Sequence, residues 1–304
     1  MSNFQFSAPQ RESQTPETTG RYIIVFNDQM LDKPDQACRS LGNIAGIRHM
    51  CSTADFKNSA VDFGKIGDQG VYFPSLGIAS VSADVSQYRS LQSMSGGDDI
   101  LAIEPEGFMY AVSGNPFDQH VYSNRDGILG YRDTISNLYD SYIEKHTSSG
   151  GTPKQEESQV ETLATYLDTK KFTWGLQATR VDTSKYNGNG IRVAILDTGI
   201  DFKHPDFSER AITSASFCLG ETAQDTQGHG THCTGTACGP RYSAMKVKRY
   251  GCACEADIFI GKVLDDNGRG ADGAILNGIE WAIKNRCQII SGSTTESVGK
   301  NDLE

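Results

Sequence analysis

IRVAILDTGIDFKHPDF occupies residues 191–207, and GHGTHCTGTACG occupies residues 228–239. Ile191 to Leu196 is a short apolar run, rich in β-branched residues and bounded by glycine on both sides. That composition and length predict a strand buried on both faces. Asp197 stands at its carboxyl end, the edge of an open α/β sheet where reacting groups gather. His229, between Gly228 and Gly230, opens a small-residue stretch that suits a tightly packed helix. A carboxylate on a strand end and an imidazole at a helix start are two parts of a nucleophile-activating relay. The carboxylate fixes the tautomer, and the ring takes the nucleophile's proton.

The DTGID and HPDF run resembles the segment around the catalytic aspartate of subtilisin-like serine proteases, and GHGTHCTGT resembles the segment around their catalytic histidine. The resemblance continues through residues 258–290, IFIGKVLDDNGRGADGAILNGIEWAIKNRCQII, which looks like the next strand, a glycine-rich substrate loop, a helix and a further strand. It runs from about Trp174 to Ser291. It implies a parallel sheet with flanking helices, serine endopeptidase chemistry with Asp197 and His229 as catalytic residues, and a polypeptide substrate. Gly268, Arg269 and Gly270 resemble the strand that pairs with bound peptide. Ser293 falls where the family lines its specificity pocket.

Other readings of these motifs fare worse. A pepsin-like aspartic site needs a second DTG or DSG, and the sequence has none. His229 and His232 stand at the helical spacing of a metal pair, without a convincing third ligand nearby. His232 is expected to be a buried structural histidine. The glycines of NGNGIRVAILDTG precede the strand, whereas a dinucleotide fingerprint has them after it. Asp206 resembles a calcium-binding position of some relatives. A solvated loop carboxylate is the expectation there; calcium stays open and no other cofactor is implied.

The 304 residues allow two domains of ordinary size. A net charge of −10 argues against nucleic acid or an anionic membrane as the main partner. Residues 1–20 are polar and Pro/Thr/Ser-rich, and read as a disordered lead-in. Residues 21–112 read as a small α+β, ferredoxin-like domain: RYIIVF as an opening strand, a helix within Cys38–Cys51, GVYFPSLGIASVSAD as strand signal, VSQYRSLQSM as a helix, and ILAIEPEGFMYAV as a closing strand. That order resembles the inhibitory propeptide of subtilisin-like proteases, which implies an intramolecular propeptide. Residues 113–173 read as a linker, with SSGGTPKQEES flexible by composition and one short helix expected in VETLATYLDTKK. Residues 174–304 read as the N-terminal part of a catalytic domain.

Eight cysteines invite a disulfide framework, but the chain is not cysteine-dense. Free thiols are expected for most, with Cys233 and Cys238 packed as small apolar groups. The family's serine opens a helix in a GTSMA-type motif, and no such motif follows Gly239; its oxyanion asparagine has no match either. Ser291, Ser293 and Ser297 lack that context and are not read as nucleophiles. The expectation is a subtilisin-like sheet that is C-terminally incomplete, with an exposed edge and marginal stability. The alternative is a non-catalytic protein whose N-terminal domain binds or inhibits a related protease.

Overall fold

The computed structural model describes residues 17–31, 33–47, 49–53, 56, 61, 70–112 and 166–296. Most of the expected linker lies outside the described residues; Tyr166–Lys171, at its end, is irregular and carries no helix.

The first described strand, β1 (Thr18–Phe26), is followed by helix α1 (Pro34–Ala45) and the short strand β2 (Met50–Ser52). A hairpin of β3 (Gly70–Phe73) and β4 (Ile78–Ser82) comes next, then helix α2 (Val85–Gln92) and the long strand β5 (Ile100–Ala111). The strand order β5-β1-β4-β3 is antiparallel at every step, with β2 added parallel to β3. This is the split-βαβ arrangement of a ferredoxin-like layer. β1 begins at Thr18, inside the stretch expected to be a disordered lead-in. It does so because Thr19 and Arg21 both engage the buried carboxylate of Glu106 on β5. Helix α2 starts on a capping box, in which Asp84 accepts from Gln87 N at 2.8 Å and Gln87 Oε1 accepts from Asp84 N at 2.9 Å. One face of the sheet packs Ile24, Phe26, Tyr72, Ala79 and Val81 against Leu41 of α1 and Leu91 of α2.

Beyond helix α3 (Trp174–Ala178), four parallel strands follow the order β10-β6-β8-β7. They are β6 (Arg192–Asp197), β7 (Ile212–Ser216), β8 (Asp257–Lys262) and β10 (Ile289–Gly292). Helix α4 (His229–Cys238) precedes β8; the short strand β9 (Arg269–Ala271) and helix α5 (Asp272–Lys284) precede β10. β6 is internal, and its alternate residues enter different cores. Ala194 and Leu196 pack with Phe217, Phe259 and Trp281; Val193 and Ile195 pack with Ile200, Phe207, Ile258 and Cys238. This two-sided burial explains why the run is apolar throughout instead of alternating. The fold is the subtilisin-like parallel sheet with flanking helices. At its β10 edge, Ile289 and Ile290 are 49% and 38% exposed.

β5 connects these layers. Its first part pairs with β1; its end, Phe108 to Ala111, pairs antiparallel with β9 on one side and with β11 (Thr294–Glu296) on the other. The seam between the layers is polar and reciprocal. Glu106 accepts from Gly273 N at the start of α5 at 3.0 Å, and Asp272 Oδ2 accepts from Gly107 N at 2.8 Å. Glu280, buried on α5, accepts from Thr53 Oγ1 at 3.1 Å and from Ser75 N at 3.0 Å. Leu276 of α5 fills the gap beside Val71 and Phe73.

Candidate active site

Asp197 ends β6, and the chain must turn at once to leave the sheet. Gly199 makes that turn at φ +108°, where a Cβ would stand 2.4 Å from the Ala223 carbonyl oxygen. Helix α4 then comes so close to the turn that a Cβ on Gly230 would lie 2.3 Å from the Gly199 carbonyl oxygen. Glycine at position 230 is therefore required by close packing, as expected. The result places His229 Nδ1 2.7 Å from Asp197 Oδ1, which also accepts from Thr198 N at 2.7 Å. Asp197 is 1% exposed, and its Oδ2 is buried with no hydrogen-bond partner among the described residues. A desolvated carboxylate facing Nδ1 holds the proton on that nitrogen and leaves Nε2 turned outward.

Nε2 faces the carbonyl oxygen of Val112 at 3.1 Å. No serine or threonine hydroxyl bonds to it among the described residues. Val112 immediately follows β5, and its N–H donates to the Ser293 carbonyl at 3.1 Å, while Ala111 N donates to the Gly268 carbonyl at 2.7 Å. Gly268, Arg269, Gly270 and Ser293, all expected on the substrate groove, thus flank one extended strand. The two glycines have different reasons for being there. Gly268 adopts φ +77°, and a Cβ on it would lie 3.3 Å from Ala111 Cβ; on Gly270, a Cβ would lie 2.2 Å from the Val263 carbonyl oxygen, on the side of its own fold. Of the two, only Gly268 would set its Cβ against a residue of β5.

Two supports escaped sequence reading. Asp225 is buried and accepts from Thr198 Oγ1 at 3.0 Å, Gly228 N at 2.8 Å, Thr231 N at 2.9 Å and Thr231 Oγ1 at 2.6 Å. It ties the turn after Asp197 to the start of α4. Burial alone would raise its pKa, but these hydrogen bonds outweigh burial and hold it below the usual carboxylate range. Lys262, fully buried at the end of β8, donates to the Thr198 carbonyl at 2.7 Å and pairs with Asp266 at 2.8 Å and Glu221 at 3.3 Å. Burial works against its charge, yet the paired carboxylates raise its pKa overall. The Asp225-Thr-Gln-Gly motif beside His229 was the available signal for the first; nothing local marks the second.

Cys233 lies one helical turn after His229, with Sγ 3.8 Å from Nδ1 and 3.7 Å from Ser293 Oγ. Asp197, His229 and Cys233 each offer a ligand atom within 4.8 Å of one another. His229 Nδ1 is already committed to Asp197 Oδ1 at 2.7 Å. Burial, reinforced by the Asp197 charge, pushes the Cys233 thiol up to about 11, so it stays protonated at neutral pH. The arrangement gives no reason to place an ion. All eight cysteines are free in this structure.

Two expectations are corrected. His232 is exposed, because Gly230, Thr234, Gly235 and Cys238 take the buried face of α4. Asp206 is 5% exposed, not a solvated loop carboxylate. Its oxygens accept from Ser243 Oγ at 2.8 and 3.0 Å, Ala244 N at 2.6 Å and Tyr250 Oη at 2.6 Å. Donors fill the lone pairs that a calcium ion would need, so these residues do not fit a cation.

Burial would raise the Asp206 pKa, but the bonds from Tyr250, Ser243 and Ala244 outweigh it and hold the value below normal. The clasp should therefore contribute full stability above the unfolded pKa of about 3.9, and lose it as pH falls through the lower folded value. An acid titration followed by circular dichroism is expected to show a shallower transition below pH ~4 for Asp206→Asn. An unchanged acid limb would contradict this role.

Residues 188–303 match the subtilase family. A thermostable alkaline protease of Halalkalibacterium halodurans is 38% identical over 149 residues, which cover 48% of this chain and 40% of that protein. Subtilisin E of Bacillus subtilis is 37% identical over 131 residues, 42% of this chain and 33% of its own length. The subtilisin-like serine protease Pen ch 18 of Penicillium rubens is 30% identical over 176 residues, covering 54% and 34%. The chain thus spans well under half the length of these curated relatives. The strand-end aspartate and the helix-start histidine both lie inside the matched stretch, and residues 188–303 are therefore similar to the subtilase family.

Proposed function

We propose that this chain carries the Asp–His half of a serine endopeptidase relay, and that its N-terminal α+β layer is an inhibitory propeptide seated in the substrate groove. The observation that carries the reading is the position of Val112. Its carbonyl oxygen stands 3.1 Å from His229 Nε2, at the end of a strand hydrogen-bonded on both sides to the groove. In this reading, Asp197 orients His229, and Nε2 takes the proton of a serine hydroxyl attacking the carbonyl of the residue at Val112's place. Main-chain pairing with β9 and β11 holds the peptide extended, in the manner of β-augmentation. The bond presented is Val112–Ser113, which makes it the candidate junction between propeptide and enzyme. A chain whose own strand fills its own groove supports an intramolecular inhibitor over a protein that acts only on a separate protease.

Among the described residues, no helix is long and apolar enough to cross a bilayer. Polypeptide is the substrate class.

The 304 residues contain no serine in the family's motif. Loss of the nucleophile removes the covalent route, and a missing oxyanion donor costs a further ~10²–10³ in turnover. The chain by itself is therefore expected to resist labelling by a serine-directed fluorophosphonate probe, while a version extended beyond Glu304 is labelled. Stoichiometric labelling of the 304-residue chain that disappears in His229→Ala would overturn the expectation of inactivity. An extended version that remains unlabelled would sink the protease reading.

A further inference from the structure

The groove strand shows a side-chain arrangement that main-chain pairing does not require. Tyr110 lies directly across from Arg269 on β9, and Phe108 is on the same face two residues earlier. The Arg269 guanidinium stacks on the Phe108 ring at 3.5 Å from its centroid and lies 6.0 Å from that of Tyr110. The other face of β5 behaves differently, since Ala111 sinks into the core with Leu196, Val263 and Leu264.

Arg269 is held ready for this contact by its own loop. Asp265 Oδ1 accepts from Arg269 N at 3.0 Å, and Asp265 N donates to the Arg269 carbonyl at 2.8 Å. Both main-chain groups of Arg269 are thus spent within the loop, and Tyr110–Arg269 is a non-hydrogen-bonded pair, the kind that brings side chains closest. Arg269 Nε is buried without a hydrogen-bond partner among the described residues, so part of the guanidinium is desolvated where it meets the ring. Desolvation strengthens cation–π attraction. Glu17 completes the cluster: its Oε1 accepts from Arg269 Nη2 at 2.5 Å and its Oε2 from Tyr110 Oη at 3.2 Å. Glu17 precedes β1, outside the groove strand.

We propose that Arg269 is a specificity-determining residue of the groove, selecting aromatic side chains at the third and fifth positions before the bond presented to His229. The proposal rests on the reading of the β9–β11 groove as the substrate site. The peptide class it names is an extended segment with aromatic residues two apart, as in Phe108-Met109-Tyr110-Ala111-Val112 of the chain itself.

The test uses the full chain and its own groove strand, with amide hydrogen exchange over residues 108–112 as the readout. Arg269→Ala is expected to speed exchange by about two- to fivefold for each aromatic ring that the guanidinium no longer covers, with the thermal midpoint recorded to confirm folding. Arg269→Gln is measured beside it in case the alanine variant unfolds, and should show the same faster exchange. In a Phe108→Leu, Tyr110→Leu background, Arg269→Ala should add little, because the rings it would have stacked on are already absent. Arg269→Lys should recover only part of the protection, since an ammonium pairs with Glu17 but does not stack as a plane. Full recovery by lysine, or an equal rise in exchange in Glu17→Gln, would overturn the proposal in favour of a carboxylate-reading arginine. Unchanged exchange in Arg269→Ala and Arg269→Gln would overturn it outright. Neither result bears on the probe labelling that tests the relay, so the two readings fail separately.

Discussion

Replacing Glu106 with alanine is expected to lower the unfolding free energy by about 3–5 kcal/mol, the range for breaking a buried ion pair from one side. Glu106 is fully buried. Its carboxylate pairs with Arg21 at 2.5 Å, accepts from the Thr19 hydroxyl and from Ser80 Oγ at 3.3 Å, and accepts from Gly273 N at 3.0 Å. The last bond places negative charge at the N-terminus of α5, where the helix dipole favours it. Alanine removes that charge and leaves the buried Gly273 N–H and the buried Ser80 hydroxyl without this acceptor. Glu106→Gln, which keeps an acceptor and loses the charge, should cost less than the alanine change. Urea denaturation measures both. Because Gly107 leads straight into the groove strand, hydrogen exchange over residues 108–112 should also rise. A stability change under about 1 kcal/mol for Glu106→Ala, within the range of a single ordinary hydrogen bond, would show that the seam does not depend on this carboxylate.

The second large effect is expected at Asp225. Asp225→Ala should cost about 3 kcal/mol or more, since hydrogen bonds to a charged group contribute roughly 1.5–3 kcal/mol each and do not add fully. The functional loss should exceed the loss in stability. Thr198 Oγ1 donates to Asp225 and accepts from Gly230 N at 2.9 Å, so the carboxylate fixes the spacing between the aspartate's turn and the histidine's helix. In a version carrying the serine segment, a misplacement of about 1 Å is worth roughly 10² in turnover. Proton NMR gives a direct reading in the chain itself: the Nδ1 proton shared with Asp197 should broaden or vanish in Asp225→Ala. Retention of that signal together with near-native urea stability would rule out the positioning role.

The part of the site that lies on β6 and α4 was legible because the decisive information is local. The six residues Ile191 to Leu196, immediately before Asp197, carry the strand signal, and Gly-His-Gly marks the tight helix start. The strand that pairs with β9 and β11 was not legible as a contact. Pairing of Ala111 with Thr294 joins residues about 180 positions apart, and no periodicity in either segment encodes its partner. Glu106 and Glu280 sit in segments whose charge suggests exposure, and only the meeting of two layers buries them. His232 and Asp206 were misjudged for a related reason. A motif names a residue's neighbours along the chain, whereas burial depends on which helix face or loop closes over it. Gly270 shows the same limit on a smaller scale: its need for a small residue was readable, but the group it must avoid belongs to Val263.

The pairing of β5 also fixes a direction. Its end runs antiparallel to both β9 and β11, so those two strands run parallel to each other with one strand's width between them. If the β5 end left, the opening would be a slot roughly 9–10 Å across, two strand spacings, walled by unpaired main-chain groups on both sides. Such a slot has a polarity. Only a chain entering with its carboxyl end toward His229 can satisfy both walls in the antiparallel pattern, whatever its side chains. A chain laid in backwards would have to form slanted parallel bonds on both sides and would bring its amino end to the imidazole. Orientation is thus settled by the backbone before any side chain is read.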